Sequence, residues 1–338
     1  MNKVTMQDIA DALGISRVTV WKVFNNYANV SVALRESVLA KAKEMGYTKG
    51  ISELEQTDSE KNVSVIVSRP NSALFWTDII HRLAQELYLH NINLMYTYMP
   101  SSYSEKYKMP PILHSNTIQG AIVLNIYDMK LMEQINQLKI PKVFLDIVPQ
   151  FDRSGLNGDL LLLEGFHCIY RITESVLEKG ARDIGFIGDI QYAKTNLDRY
   201  KGFRQCMKDH GLTVREEVCM TRKIGIFSYD KEIYRFLDSL EKLPEAFICA
   251  SDYVAHFLQL YLSEHQERIP DGIIVTGYDG SSEYTNVDGL ITTADVQTGL
   301  LGKRLAMQII YRMEHEEAPY ELTFIEPSIL FRDSVLYG

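Results

Sequence analysis

The sequence has no apolar run approaching membrane-spanning length, and its first eleven residues carry polar and acidic groups where a secretory leader needs an apolar core. Neither a membrane span nor export is expected, and the location read from this is cytoplasmic. Cysteine is scarce. Cys168, Cys206, Cys219 and Cys249 are scattered without a Cys-x-x-Cys spacing, so they are read as reduced structural thiols rather than zinc ligands or a redox pair. Signatures of nucleotide and hydrolytic chemistry are missing too: there is no G-x-G-x-x-G, no G-x-x-x-x-G-K-[ST], no G-x-S-x-G and no H-E-x-x-H. The eight histidines show no metal-ligand spacing, and His81, His256 and His315 read as helix surface. A nucleotide-dependent enzyme on a doubly wound fold thus finds little support. No catalytic activity, cofactor or metal is expected.

What is present points to a binding protein of more than one domain. A chain of 338 residues exceeds the size at which one core stops growing. The net charge of -9 is unevenly spread: residues 1–50 hold seven Lys/Arg against four Asp/Glu, a net +3, which leaves -12 on the remainder. A modestly basic head on an acidic body fits nucleic-acid contact confined to one end.

In the head, Thr5 and Asp8 have capping-box spacing, and Met6, Ile9, Ala10 and Leu13 repeat as one helix face. Gly14 supplies a turn and Ser16 an N-cap, and Val20, Val23 and Phe24 form a second apolar face. Ser31 caps a third helix with Leu34, Val38, Ala42 and Met45 inward and Gly46 at its end. Two helices joined so tightly read as helix-turn-helix. On the second helix Arg17, Val18, Trp21, Lys22 and Asn25 point outward, as types suited to a major groove. Arg17 and Lys22 can read guanine and Val18 a thymine methyl. Thr5, Ser16, Thr19, Asn29, Ser31 and Tyr47 are placed to hold phosphates. A merely solvated helix face would look the same by spacing alone.

The runs Val4-Thr5-Met6-Gln7-Asp8-Ile9-Ala10, Gly14-Ile15-Ser16-Arg17-Val18-Thr19-Val20, Val23-Phe24-Asn25, Val30-Ser31 and Met45-Gly46-Tyr47 resemble, in order, the DNA-binding head of the lactose/galactose repressor family. The resemblance implies base reading by Arg17, Val18 and Lys22, with Trp21 standing where a small residue is usual. It also implies a hinge over residues 51–62 whose leucine wedges into the minor groove. Here that joint is acidic, with Glu53, Glu55, Asp58 and Glu60 around Leu54 and Ile51 as the candidate wedges. A flexible linker is the alternative reading.

Beyond the joint, short β-rich runs alternate with amphipathic stretches, the pattern of parallel sheets flanked by helices. Strands are expected at Val63–Val67, Ala121–Leu124, Lys142–Leu145, Ile184–Ile187, Ala246–Ala250 and Ile273–Thr276, with later helices around 166–179, 198–210 and 253–265. The expected class is α/β: a three-helix head, residues 1–50, and a body, residues 63–338, of two doubly wound lobes. Lobe one is placed at about 63–160 and 291–320, lobe two at about 161–290 and 321–338. Such lobes bind ligands at the carboxyl ends of strands. This selects Asp146, Ser251, Asp252 and Asp279, each of which could instead cap a helix.

The body resembles the same family, and through it the periplasmic sugar-binding proteins. The resemblance rests on Gly185-Phe186-Ile187-Gly188, Arg199-Tyr200-Lys201-Gly202-Phe203, Ala250-Ser251-Asp252-Tyr253-Val254-Ala255, Gly277-Tyr278-Asp279, Ile291-Thr292-Thr293 and Arg332-Asp333-Ser334. It implies Asp146, Arg199, Ser251 and Asp279 as effector contacts and Phe75 and Trp76 beside the cleft, with Ser251 and Val296 departing from the usual asparagine and glutamine. Carboxylates and an arginine can bind sugar hydroxyls while Phe75, Trp76 or Phe227 covers the ring face. A saccharide is the leading effector; a nucleobase or a phosphorylated ligand is the alternative, since Arg199 also suits an anion. A dimer on a palindromic operator is expected, and not a tetramer, because no leucine heptads follow Ser334.

Overall fold

The computed structural model describes residues 4–24, 27, 30–47, 61–68, 74–225, 228–269 and 272–336. The joint over 51–60, and with it Leu54, lies outside the described residues, as do Asn25, Asn29 and Phe227. The chain divides into two compact units, Met1–Glu60 and Lys61–Gly338.

Helix α1 (Met6–Leu13) starts where Thr5 and Asp8 satisfy each other's backbone amides, the Thr5 amide donating to Asp8 Oδ2 at 2.8 Å, and stops at Gly14 with φ 65. Only a residue free of Cβ strain sits comfortably at that angle. Helix α2 (Arg17–Phe24) opens with the Thr19 amide donating to Ser16 Oγ at 3.0 Å, and α3 (Val32–Glu44) with the Leu34 amide donating to Ser31 Oγ. Ile9, Ala10, Val20, Val23, Phe24, Val38, Ala42 and Tyr47 close one small core between the three helices.

The body carries two sheets. The first contains β1 (Lys61–Ser68), β2 (Ile92–Met99), β3 (Gly120–Leu124), β4 (Lys142–Leu145), β5 (Asp159–Leu163) and β11 (Leu322–Ile325) in the order β11-β5-β4-β3-β1-β2, parallel throughout. The second contains β6 (Ile184–Ile187), β7 (Cys219–Met220), β8 (Ala246–Cys249), β9 (Ile273–Thr276) and β13 (Val335–Leu336) in the order β13-β9-β8-β6-β7, with only β13 antiparallel. A ribbon of β10 (Thr293–Asp295) and β12 (Ser328–Leu330) accompanies two of the three passages of the chain between lobes. Strands β3 and β5 are buried along their whole length, as strands covered by helices on both faces must be.

Helices α4 (Leu74–Leu89), α5 (Met129–Asn136) and α10 (Thr298–Glu314) cover the first sheet; α6 (Phe166–Glu178), α7 (Lys194–Asp209), α8 (Tyr229–Asp238) and α9 (Asp252–Glu264) belong to the second. Gly202 lets α7 approach α6 so closely that a Cβ there would lie 2.1 Å from the Phe166 carbonyl oxygen. Among the described residues no helix is long and apolar enough to cross a membrane.

The lobe boundaries differ from those read in the sequence. β5 extends the first lobe to Leu163, and β11 pairs with β5 there, so residues 322–325 belong to lobe one and only β13 returns to lobe two. The cause is that β11 is an edge strand of alternating exposure, Leu322 and Phe324 outward, and carries none of the continuous apolar signal of a central strand.

Candidate functional site

On the head, Arg17, Val18 and Trp21 lie together on the exposed face of α2, with Val18 60% and Trp21 42% exposed. Leaving two large apolar side chains in water is costly unless a surface such as a base edge or sugar covers them. Trp21 packs against the Tyr27 ring, centroids 5.3 Å apart, and so has partly turned onto the head itself. Lys22 sits half-buried in the last turn of α2. Thr5, Ser16, Thr19 and Ser31 stand at the starts of the three helices, where Thr5, Ser16 and Ser31 cap the amides of Asp8, Thr19 and Leu34. Tyr47 requires correction: it is 7% exposed and its ring stacks on Phe24 at 5.3 Å, so it is a core residue rather than a surface phosphate contact.

In the body, a cleft of about 420 Å³ opens at the carboxyl ends of both sets of strands. Asn125 follows β3, Asp146 follows β4 and Asp279 comes three residues after β9. All three have left-handed backbones, with φ 54, 66 and 119. Asn and Asp tolerate this better than other side chains, and non-glycine residues held so tend to gather where function needs them.

Asp146 is 6% exposed, and its carboxylate accepts from the Ile147 amide at 2.7 Å and from the Thr195 hydroxyl. Burial raises its pKa, and those hydrogen bonds and Arg199 only partly oppose the shift. Thr195 stands at the start of α7, so this bond joins the two lobes. So do Tyr192 Oη to Asn125 Oδ1 at 2.7 Å, the Lys194 amide to the Ile147 carbonyl at 2.8 Å, and the Leu74 amide to Glu283 Oε2 at 2.9 Å. A ligand entering here meets groups already oriented by both lobes.

Arg199 is 5% exposed, with Nη1 donating to the Ala250 carbonyl at 2.5 Å and the guanidinium 3.5 Å from the centroid of the Tyr278 ring. Its Nε is buried without a hydrogen-bond partner among the described residues. Asp279 faces the cleft with its pKa pushed up to about 8 by burial, Arg199 opposing and Asp252 adding to the rise. It is therefore largely a hydrogen-bond donor at neutral pH. Phe75 and Trp76 line the same cleft and meet edge to face at 5.0 Å.

Two of the strand-end residues do other things. Asp252 does not line the cleft: 1% exposed, it accepts from the Ser281 amide and the Thr293 hydroxyl, both at 2.7 Å, and so ties α9 to β10. Burial raises its pKa to about 6. Ser251 lines the cleft, but its hydroxyl caps α9 by accepting from the Val254 amide at 3.2 Å. Val296 is 4% exposed and packs in the core.

The sequence reading missed Asn125, Tyr127, Tyr192, Thr195 and the aromatic residues of α9. Asn125 obeys the same strand-end rule that selected Asp146 and was open to discovery by it.

A helix-turn-helix head joined to a two-lobed body with a polar, aromatic-lined cleft defines a DNA-binding protein that responds to a small ligand. Comparison with known proteins gives the family. Residues 5–49 match the model of bacterial regulatory proteins of the lacI family, and residues 173–335 that of a periplasmic binding protein-like domain. The HTH-type transcriptional repressor PurR of Actinobacillus pleuropneumoniae serotype 3 is 24% identical over 338 residues, covering 98% of each chain. Among solved structures, a complex of the transcriptional regulator CelR with cellobiose superposes with a TM-score of 0.71 at 21% identity, covering 98% of this chain and 99% of that one. The Lac repressor dimer bound to operator and the anti-inducer ONPF gives 0.66 at 17% identity, with 98% and 99% covered. The chain belongs to the LacI family of bacterial regulatory proteins, and is a DNA-binding transcription regulator rather than an enzyme.

Proposed function

We propose that the chain is a homodimeric repressor whose effector is a neutral saccharide held between the lobes. The observation that carries the effector reading is the charge of the cleft. Among its described lining residues Arg199 is the one arginine or lysine, against the four carboxyl groups Asp146, Asp189, Asp279 and Glu283. That arginine already holds the Ala250 carbonyl and stacks on Tyr278, and even with Asp279 protonated the other cleft carboxyls, Asp146, Asp189 and Glu283, outnumber it, so an anionic ligand would meet more acid than base. A phosphorylated effector is disfavoured. Paired hydroxyls instead satisfy Asp146, Asn125 and a protonated Asp279, with Phe75 and Trp76 against the ring. The cellobiose-bound neighbour supports the same reading.

Binding of such a ligand shifts the population of lobe arrangements, and the paired heads follow. On DNA, Arg17, Val18 and Lys22 read bases, while Thr5, Ser16, Thr19 and Ser31 hold phosphates, in two half-sites roughly 34 Å apart. Asp146, Arg199, Ser251, Asp279, Phe75 and Trp76 form the effector site.

Calorimetry with neutral sugars, their phosphates and purine bases tests the effector class. At least one neutral sugar is expected to bind, and its phosphate about tenfold more weakly or worse. Binding of purine bases with no sugar bound would overturn the assignment.

A further inference from the structure

We infer that Trp21 and Tyr27 form an aromatic shelf that packs on the deoxyribose wall of the major groove, one helical turn beyond the base-reading residues. This rests on the reading of DNA by the head and adds to it a contact that carries affinity without carrying sequence.

Trp21 lies three residues after Val18 and four after Arg17, so the three share one face of α2, with Trp21 about 5 Å further along it. In helix-turn-helix docking the first residues of the recognition helix meet base edges. A side chain one turn on meets the wall of the groove, which is sugar and phosphate. Such a wall calls for apolar area in positive surroundings, and the head supplies both. Val18, Trp21 and Tyr27 are 60%, 42% and 44% exposed, an unusual outlay of large apolar side chains for a unit whose described core is eight buried residues. No Asp or Glu occurs between Asp11 and Glu36, whereas Arg17, Lys22 and Arg35 all fall within that stretch. An apolar patch on an acid-free, basic stretch matches a polyanion whose charges are separated by apolar sugars.

The shelf is held in place before DNA arrives. The Trp21 and Tyr27 rings lie 5.3 Å apart, tilted by 47°. The Tyr27 amide donates to the Lys22 carbonyl at 3.1 Å, and the Tyr27 carbonyl accepts from the Val30 amide at 3.3 Å and from Arg35 Nη2 at 3.2 Å. These bonds fix Tyr27 between α2 and α3, and Tyr27 in turn supports the indole. Ordering the rings on binding therefore costs little. A ring face cannot match the pattern of donors and acceptors by which base pairs differ. The contact accordingly strengthens binding to all sequences alike, as backbone contacts do.

The test uses the full chain and two probes, the palindromic duplex that it enriches from a random pool and a duplex of scrambled sequence. Trp21→Ala is expected to weaken binding to both about tenfold, the loss of one good ring contact. The same palindrome should still be enriched, and the slope of log affinity against log salt should not change, because no cation is removed. A second readout leaves the head unaltered. In a Trp76→Phe chain, where Trp21 is the one tryptophan left, either duplex should shield the indole from quenching by acrylamide. An indole equally open to acrylamide with and without bound duplex would overturn the shelf, as would a Trp21→Ala chain of unchanged affinity. A Trp21→Ala chain that enriches a different palindrome, or that loses affinity for the palindrome alone, would overturn the backbone assignment and make Trp21 a base reader. Failure of the unmodified chain to enrich any sequence would overturn the reading of DNA by the head and this inference together.

Discussion

Arg312→Ala is expected to destabilise the body by about 3–5 kcal/mol, the largest effect anticipated for any single change. Arg312 and Asp159 are 1% and 0% exposed, and their bidentate pair at 2.7 and 3.0 Å ties the C-terminal turn of α10 to the start of β5. The guanidinium also donates to the carbonyls of Ala318 at 2.6 Å and Pro319 at 2.8 Å, which fixes the segment leading into β11. Asp159 accepts in addition from Gln308 at 2.7 Å and the Glu321 amide at 2.9 Å. Removing the arginine strands a charge in a dry interior and frees the strand that closes the first sheet. Asp159→Asn combined with Arg312→Met should recover part of the loss, because it removes both charges together. Thermal melts read through Trp76, in a Trp21→Phe background that leaves no other tryptophan, would measure this. A shift in Tm equivalent to less than about 1 kcal/mol would contradict the role assigned to the pair.

Asp279→Asn is expected to act in the opposite direction, with an effect that grows between about pH 4 and pH 8. The Asp279 carboxyl is raised from an ordinary value of 3.8 to about 8. Below about pH 4 it is protonated in both folded and unfolded chains and contributes no difference. As pH rises the unfolded chain ionises first, so folded stability is lost progressively up to about pH 8 and stays lost above it. Asparagine keeps the shape of the protonated acid and has no such dependence. The variant should match the parent near pH 4 and exceed it by about 2–4 kcal/mol above pH 8, after allowing for solvent at the cleft mouth. Urea melts across that range decide it. A difference that is constant with pH, or largest in acid, would show that Asp279 is ionised in the folded chain.

These features were unequally visible in the sequence, for physical reasons. The head was legible because its determinants are local: Thr5 with Asp8, Ser16 with Thr19 and the three apolar faces all fall within four residues of one another. Tyr47 was misplaced because a tyrosine just past a helix end looks the same whether its ring faces water or Phe24. Strand ends located Asp146 and Asp279, but the same rule equally selected Asp252, which differs only in pointing toward Ser281 and Thr293. Thr195 escaped for two reasons. The bond to Asp146 spans 49 residues, and α7 begins at Lys194 with no side-chain cap to mark it, four residues ahead of the expected start. β11 escaped because an edge strand with alternating exposure resembles a surface loop.

The central claim is that one chain reads a DNA sequence and does so under control of a ligand in the cleft. Selection of bound duplexes from a random pool, with and without a panel of sugars and glycosides, tests it most directly. The account predicts enrichment of a palindrome with two half-sites about one helical turn apart, and a change in its occupancy when one of those ligands is added. Failure to enrich any sequence, or a palindrome whose occupancy is indifferent to every ligand the cleft binds, would contradict it.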